Sequence, residues 1–198
     1  MEFVGATALA FGAIFVAEFG DKSQLLILAF ATRYAARPVV LGLVLAAAII
    51  QGASVAIGAV AGAALPTTAV AIVSGVAFLA VAAWTLRGED DGEDEVTDTA
   101  GAGRLAGAGL VLTVAGAFIL SELGDKTMLA TFALAATQGA LPTWIGSTAG
   151  EVAANLVAVV VGRQVGNRLP QRAVRLGSAA LFAVAGIVVL AGVLVGQR

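Results

Sequence analysis

Six stretches of this chain are each predominantly apolar over about twenty residues or more: 4–32, 38–65, 67–86, 105–136, 142–166 and 173–195. A helix rises 1.5 Å per residue, so about twenty residues cross a ~30 Å hydrocarbon core. A water-soluble domain of 198 residues needs far more polar surface than 12% charged residues supply. The mean hydropathy of +0.99 agrees. The reading is an all-α integral membrane protein with six transmembrane helices and the lipid bilayer as its solvent. The first and fourth stretches exceed one crossing, which predicts that they tilt, kink or project. Gly20 and Gly124 are the expected places for a break.

What is missing excludes whole classes of chemistry. The chain has no cysteine and no histidine, which removes disulfides, thiolate or imidazole metal sites, and cysteine or histidine catalysis. Net charge is only −2 and no basic block occurs, so nucleic acid is not an expected partner. The opening "MEFVGATALAFG" lacks the positive region of a signal peptide and is expected to be kept as a helix.

Basic residues set an orientation. The first, third and fifth loops carry Arg33, Arg37, Arg87, Arg104, Arg163, Arg168, Arg172 and Arg175, against Arg198 alone on the other side. Positive charge stays in the cytoplasm, which predicts that both termini lie outside it. Residues 87–104 concentrate seven acids (Glu89, Asp90, Asp91, Glu93, Asp94, Glu95 and Asp98) and read as a solvated cytoplasmic linker. A weak cation-attracting antechamber is the sharper reading of the same segment. Calcium-loop spacing is lacking.

A constant offset of 104 aligns the two sides of that linker without gaps. Glu18, Gly20, Asp21 and Lys22 pair with Glu122, Gly124, Asp125 and Lys126. Pro38, Gly42, Gln51 and Phe78 pair with Pro142, Gly146, Asn155 and Phe182. Residues 1–86 and 105–198 are therefore expected to be two three-helix repeats. An odd number of spans inserts the second repeat upside down, an inverted repeat of the kind that places transporter sites near the midplane. Glu18, Gln51, Glu122 and Asn155 all fall near the middle of their spans.

The charges then acquire a purpose. "EFGDKSQL" at 18–25 and "ELGDKTML" at 122–129 each place two acids and a lysine in a hydrophobic stretch. An ionised group there costs at least ~2.5–3.5 kcal/mol on insertion scales. Mutual neutralisation of Glu18 by Lys22 and of Glu122 by Lys126, at helical i, i+4 spacing, is the structural reading. Buried ion pairs often gain nothing over apolar packing, and two copies at one depth favour ion handling. Two acids and one lysine per motif leave a surplus of two negative charges, which suits a divalent cation. The expected ligands are Glu18, Asp21, Glu122 and Asp125, with the amide oxygens of Gln51 and Asn155. Such oxygen donors favour Ca²⁺, Mn²⁺ or Mg²⁺ over Zn²⁺ or Cu⁺. A coupled proton must ride on a carboxylate, Glu18 or Glu122, with Lys22 and Lys126 as counter-charges.

Ser23 and Thr127 are expected mainly to bond back to helix carbonyls, with ion ligation second. Glu151 breaks the symmetry, since its mate is Ala47. It stands one turn from Asn155, as a supporting ligand, a proton relay or a solvated residue. Trp84 and Trp144 lie near span ends, where interfacial anchoring is the default. Small residues, as in "GAVAGAAL", read as helix-packing surfaces.

Two copies of E-x-G-D-[KR]-[ST], in the first and fourth of six spans and separated by an acidic loop, resemble the GDT-type cation/proton exchangers. The resemblance covers essentially the whole chain and implies export of cytoplasmic Mn²⁺ or Ca²⁺ in exchange for protons. Carried over by position, it marks Glu18, Gly20, Asp21, Lys22 and Ser23, then Glu122, Gly124, Asp125, Lys126 and Thr127. The metal is transported cargo, and no prosthetic group is implied. With no targeting segment ahead of the first span, a bacterial plasma membrane is the expected location. Two rivals stay open at this point: an exporter of an amino acid or other small cationic solute, and a non-transporting membrane scaffold or assembly protein. Catalysis is the weakest reading, because no nucleophile–base pair accompanies the acids.

Overall fold

A computed structural model describes residues 2–19, 21–87, 107–165 and 171–196, and among these every regular element is an α-helix. In chain order they are α1 (Glu2–Glu18), α2 (Lys22–Arg33), α3 (Ala36–Ala64), α4 (Thr67–Arg87), α5 (Ala108–Glu122), α6 (Lys126–Gln138), α7 (Ala140–Val165) and α8 (Gln171–Gly196). Gly20, the acidic segment beyond Arg87 with Arg104, and Arg168 lie outside the described residues. So do the side chains of Lys22, Arg163, Arg172 and Arg175.

The two over-long stretches are indeed not single rods. The first divides into α1 and α2, bent by 80°, and the fourth into α5 and α6, bent by 82°. Among the described residues, α3 and α4 are long and apolar enough to cross a bilayer. Each bent pair adds a candidate span, making up to four. Leu120 is 74% exposed while Glu122, half a turn on, is 1% exposed. Leucine outside and glutamate inside is the arrangement a hydrocarbon solvent selects, and the chain is an integral membrane protein.

Packing is chiefly between the halves. Helix α1 lies on α7, α4 on α8, and α3 on both α5 and α6, whereas α3 and α4 scarcely touch. In lipid, such contacts depend on close van der Waals fit, and glycine supplies it. On α3, a Cβ at Gly42 would stand 2.7 Å from Val114 Cβ, and one at Gly62 would stand 2.8 Å from the Ala136 carbonyl. On α7, a Cβ at Gly146 would stand 2.8 Å from Ala10 Cβ. Gly42 with Val114 and Gly146 with Ala10 are the same contact under the offset of 104. Phe78 and Phe182, mates under that offset, stack on each other at 6.1 Å between ring centroids. Two apolar clusters result, each drawing on helices from both halves.

Trp144, near the start of α7, also ties two helices together. Its indole Nε1 donates to the Ala48 carbonyl of α3 at 3.0 Å. An indole N–H beside apolar helices takes the carbonyl within reach, and here that tie joins α7 to α3.

Candidate functional site

Both helix breaks close in the same way. The Asp21 amide donates to the Glu18 carbonyl and the Asp125 amide to the Glu122 carbonyl, each at 3.1 Å. Gly124 adopts φ +80°, a conformation that costs glycine little and other residues more. Helices α1 and α5 thus end at a glutamate, and α6 begins at an aspartate cap whose carboxylate accepts from the Thr127 amide at 3.4 Å. The negative ends of α1 and α5 favour a cation at the breaks, and the aspartate offsets the positive end of α6.

Packing brings the breaks together. Glu18, Asp21, Glu122 and Asp125 each present a carboxylate oxygen, and these four atoms lie within 4.8 Å of one another. All four residues are buried. Glu18 Oε1 and both carboxylate oxygens of Glu122 accept no hydrogen bond. Four carboxylates at this separation repel one another unless protons or a cation intervene, and their free oxygens suit hard divalent ions.

Lys126 reaches across the halves. Its Nζ lies 3.2 Å from Asp21 Oδ1. Neither oxygen of Glu122 accepts a hydrogen bond from Lys126, so mutual neutralisation within the motif is not seen there. The reason is local: the chain breaks between the two residues, and i, i+4 spacing loses its helical meaning. The Lys22 side chain lies outside the described residues.

Ser23 and Thr127 also differ from expectation. The Ser23 hydroxyl donates to Glu18 Oε2 at 3.1 Å, and the Thr127 hydroxyl to Asp125 Oδ2 at 3.4 Å. Each sits in the first turn after a break, where the carbonyl four residues back is not part of the same helix, so the motif carboxylate accepts the hydrogen bond instead.

Gln51 and Asn155 are fully buried, and so is Glu151, which is not a solvated residue. Gln51 Nε2 donates to Glu151 Oε2, and Asn155 Nδ2 donates to the Glu151 main-chain carbonyl at 3.0 Å. The Glu151 charge interacts with those of the four clustered acids.

Two residues went unnoticed in the sequence. Thr143 and Ser147 are fully buried and continue the four-residue spacing of Glu151 and Asn155 along α7. Thr143 Oγ1 has no partner. The spacing is visible in the sequence, but threonine and serine are too common in apolar helices to stand out.

A family model described as "Divalent cation/proton antiporter GDT1" matches residues 6–93 and 110–196. A "Putative manganese exporter" of Vibrio cholerae is 30% identical over 179 residues, covering 88% of this chain and 85% of that protein. "Protein PAM71, chloroplastic" of Arabidopsis thaliana is 30% identical over 207 residues, covering 93% of this chain and 56% of that protein. "GDT1-like protein 2, chloroplastic" of Oryza sativa is 29% identical, and the chain spans 61% of its length. No solved structure matches the chain.

Proposed function

The chain belongs to the GDT1 family of divalent cation/proton antiporters, and from that premise we propose that it exports Mn²⁺ from the cytoplasm in exchange for protons. It is a membrane transporter and not an enzyme, which sets aside the amino-acid exporter, the scaffold and the catalytic readings. The observation that carries the proposal is the group of four buried carboxylates gathered at two helix breaks. In the proposed cycle a cytoplasmic cation displaces protons from Glu18, Asp21, Glu122 and Asp125. The halves then rock, and protons from the far side discharge the metal. Lys126, held beside Asp21, supplies counter-charge when the cation has left.

Six spans in two inverted repeats, 1–86 and 105–198, are part of the reading. The exchanged contacts of Gly42 with Val114 and Gly146 with Ala10 support it, as does the stacking of Phe78 on Phe182. The arginine distribution supports termini outside the cytoplasm, and a bacterial plasma membrane is the proposed home. Mn²⁺ is preferred to Ca²⁺ because a relative that the chain covers almost fully is described as a manganese exporter. The oxygen ligands accept both ions.

Purified protein in liposomes decides it. A Mn²⁺ gradient should drive proton movement in the opposite direction, and Ca²⁺ should compete. The metal binds deprotonated ligands, so binding releases protons and lowering the pH weakens it. Proton flux that ignores Mn²⁺ and Ca²⁺, or binding that tightens with acid, defeats the exchanger. Selective Zn²⁺ transport defeats the oxygen-ligand assignment.

A further inference from the structure

An amide side chain has two unlike ends, and only its oxygen can serve a cation. Gln51 and Asn155 occupy equivalent positions in the two halves, and both have their nitrogen end tied to one residue. The Glu151 carboxylate accepts Gln51 Nε2, and the Glu151 main-chain carbonyl accepts Asn155 Nδ2. Each amide is left with its oxygen, Gln51 Oε1 or Asn155 Oδ1, buried and without a partner. Leaving a carbonyl oxygen unpaired in a dry interior is unfavourable, so both oxygens are primed for a ligand. For Asn155 the tie is a main-chain carbonyl in its own helix, which any residue at 151 provides. For Gln51 it is a side chain that exists in one half only, since Ala47 stands at the equivalent position. A carboxylate accepts and an N–H donates, so Glu151 takes the NH₂ end of Gln51 and turns the oxygen away.

We propose that Glu151 is a positioning residue that orients the Gln51 amide so that its oxygen, with that of Asn155, adds neutral ligands to the carboxylates around the transported divalent cation. The inference rests on the reading of the four acids as the cation site. Glu151 itself does not bind the metal in this assignment. Two neutral oxygens raise the coordination number without adding negative charge, which lets protons compete with the metal and so keeps exchange reversible. Partners that hold a ligand in place typically change metal affinity by about 10–100-fold when removed.

The experiment measures Mn²⁺-driven proton flux in liposomes and equilibrium Mn²⁺ binding for four variants. Glu151→Gln keeps an oxygen that can accept from Gln51, and should keep KM near that of the unaltered protein. Glu151→Leu should raise KM about 10–100-fold with kcat largely kept. Gln51→Leu should do the same, and the double Leu variant should be no worse than either. If Glu151→Gln is as impaired as Glu151→Leu, the charge itself is used and the positioning role is wrong. Unchanged KM in Glu151→Leu overturns it equally. Glu151→Gln is close in shape to glutamate, so the charge comparison stands even if the leucine variant fails to fold. Binding by Glu18→Gln and Glu122→Gln separates the two levels. If they still bind Mn²⁺ normally, the site reading has failed. If they lose it while the Glu151 variants are silent, only the present inference has.

Discussion

Helices α3 and α7 occupy equivalent places in the two halves, yet their buried faces differ. At four-residue steps α7 carries Thr143, Ser147, Glu151 and Asn155; the equivalent positions of α3 are Val39, Leu43, Ala47 and Gln51. All eight are buried. The breaks before these helices are by contrast near copies, with the same glutamate, glycine, aspartate and lysine and the same closing hydrogen bond. In the proposed site, coordination of a cation takes ligands from both breaks, and that part is duplicated. Polar groups on a path or behind a ligand are needed once, and one copy has kept apolar packing instead.

The largest test of that contrast falls on the duplicated part. Glu18→Gln and Glu122→Gln should each lower Mn²⁺-driven proton release by about 100-fold or more, as expected for charged groups that act as a unit. The double variant should be little worse than either single one. Folding should survive, because neutral glutamine is cheaper than glutamate in hydrocarbon. Half-activity in both singles, with only the double dead, would mean two separate sites.

A middle-sized effect probes the packing equivalence. Gly42→Ala and Gly146→Ala should destabilise the protein to a similar degree, each by about 1–3 kcal/mol, because each new methyl meets a neighbouring helix. Their Cβ atoms would lie 2.7 Å from Val114 Cβ and 2.8 Å from Ala10 Cβ. Thermal unfolding in detergent measures both. A loss confined to one of them would break the equivalence of the α3–α5 and α1–α7 contacts.

The smallest effect belongs to the one-sided part. Thr143→Val replaces a buried hydroxyl that has no partner by a methyl of similar size. If the hydroxyl served only packing, the change would be neutral or stabilising, and transport would not alter. The expected result is unchanged or raised stability with exchange slowed severalfold, within the first factor of ten that about 1.4 kcal/mol represents. Exchange at the original rate would reduce the polar face of α7 to Glu151 and Asn155.

Much of this was legible from the sequence alone. Hydropathy marked where the helices run, because it depends only on near neighbours along the chain. Length against bilayer thickness, with Gly20 and Gly124 beside the charges, marked the breaks that separate α1 from α2 and α5 from α6. The offset of 104 matches Glu18 and Asp21 with Glu122 and Asp125, whose carboxylate oxygens the fold brings within 4.8 Å of one another. Partners across helices were another matter. That Lys126 meets Asp21, that Ser23 turns to Glu18, that Gln51 gives its amide to Glu151 and that Trp144 ties to Ala48 were decided by tertiary structure. Such pairings depend on how far each helix is rotated and how closely its neighbours approach. Glycines such as Gly42, Gly62 and Gly146 set that approach through the contacts they permit, and those contacts exist only once the halves have packed.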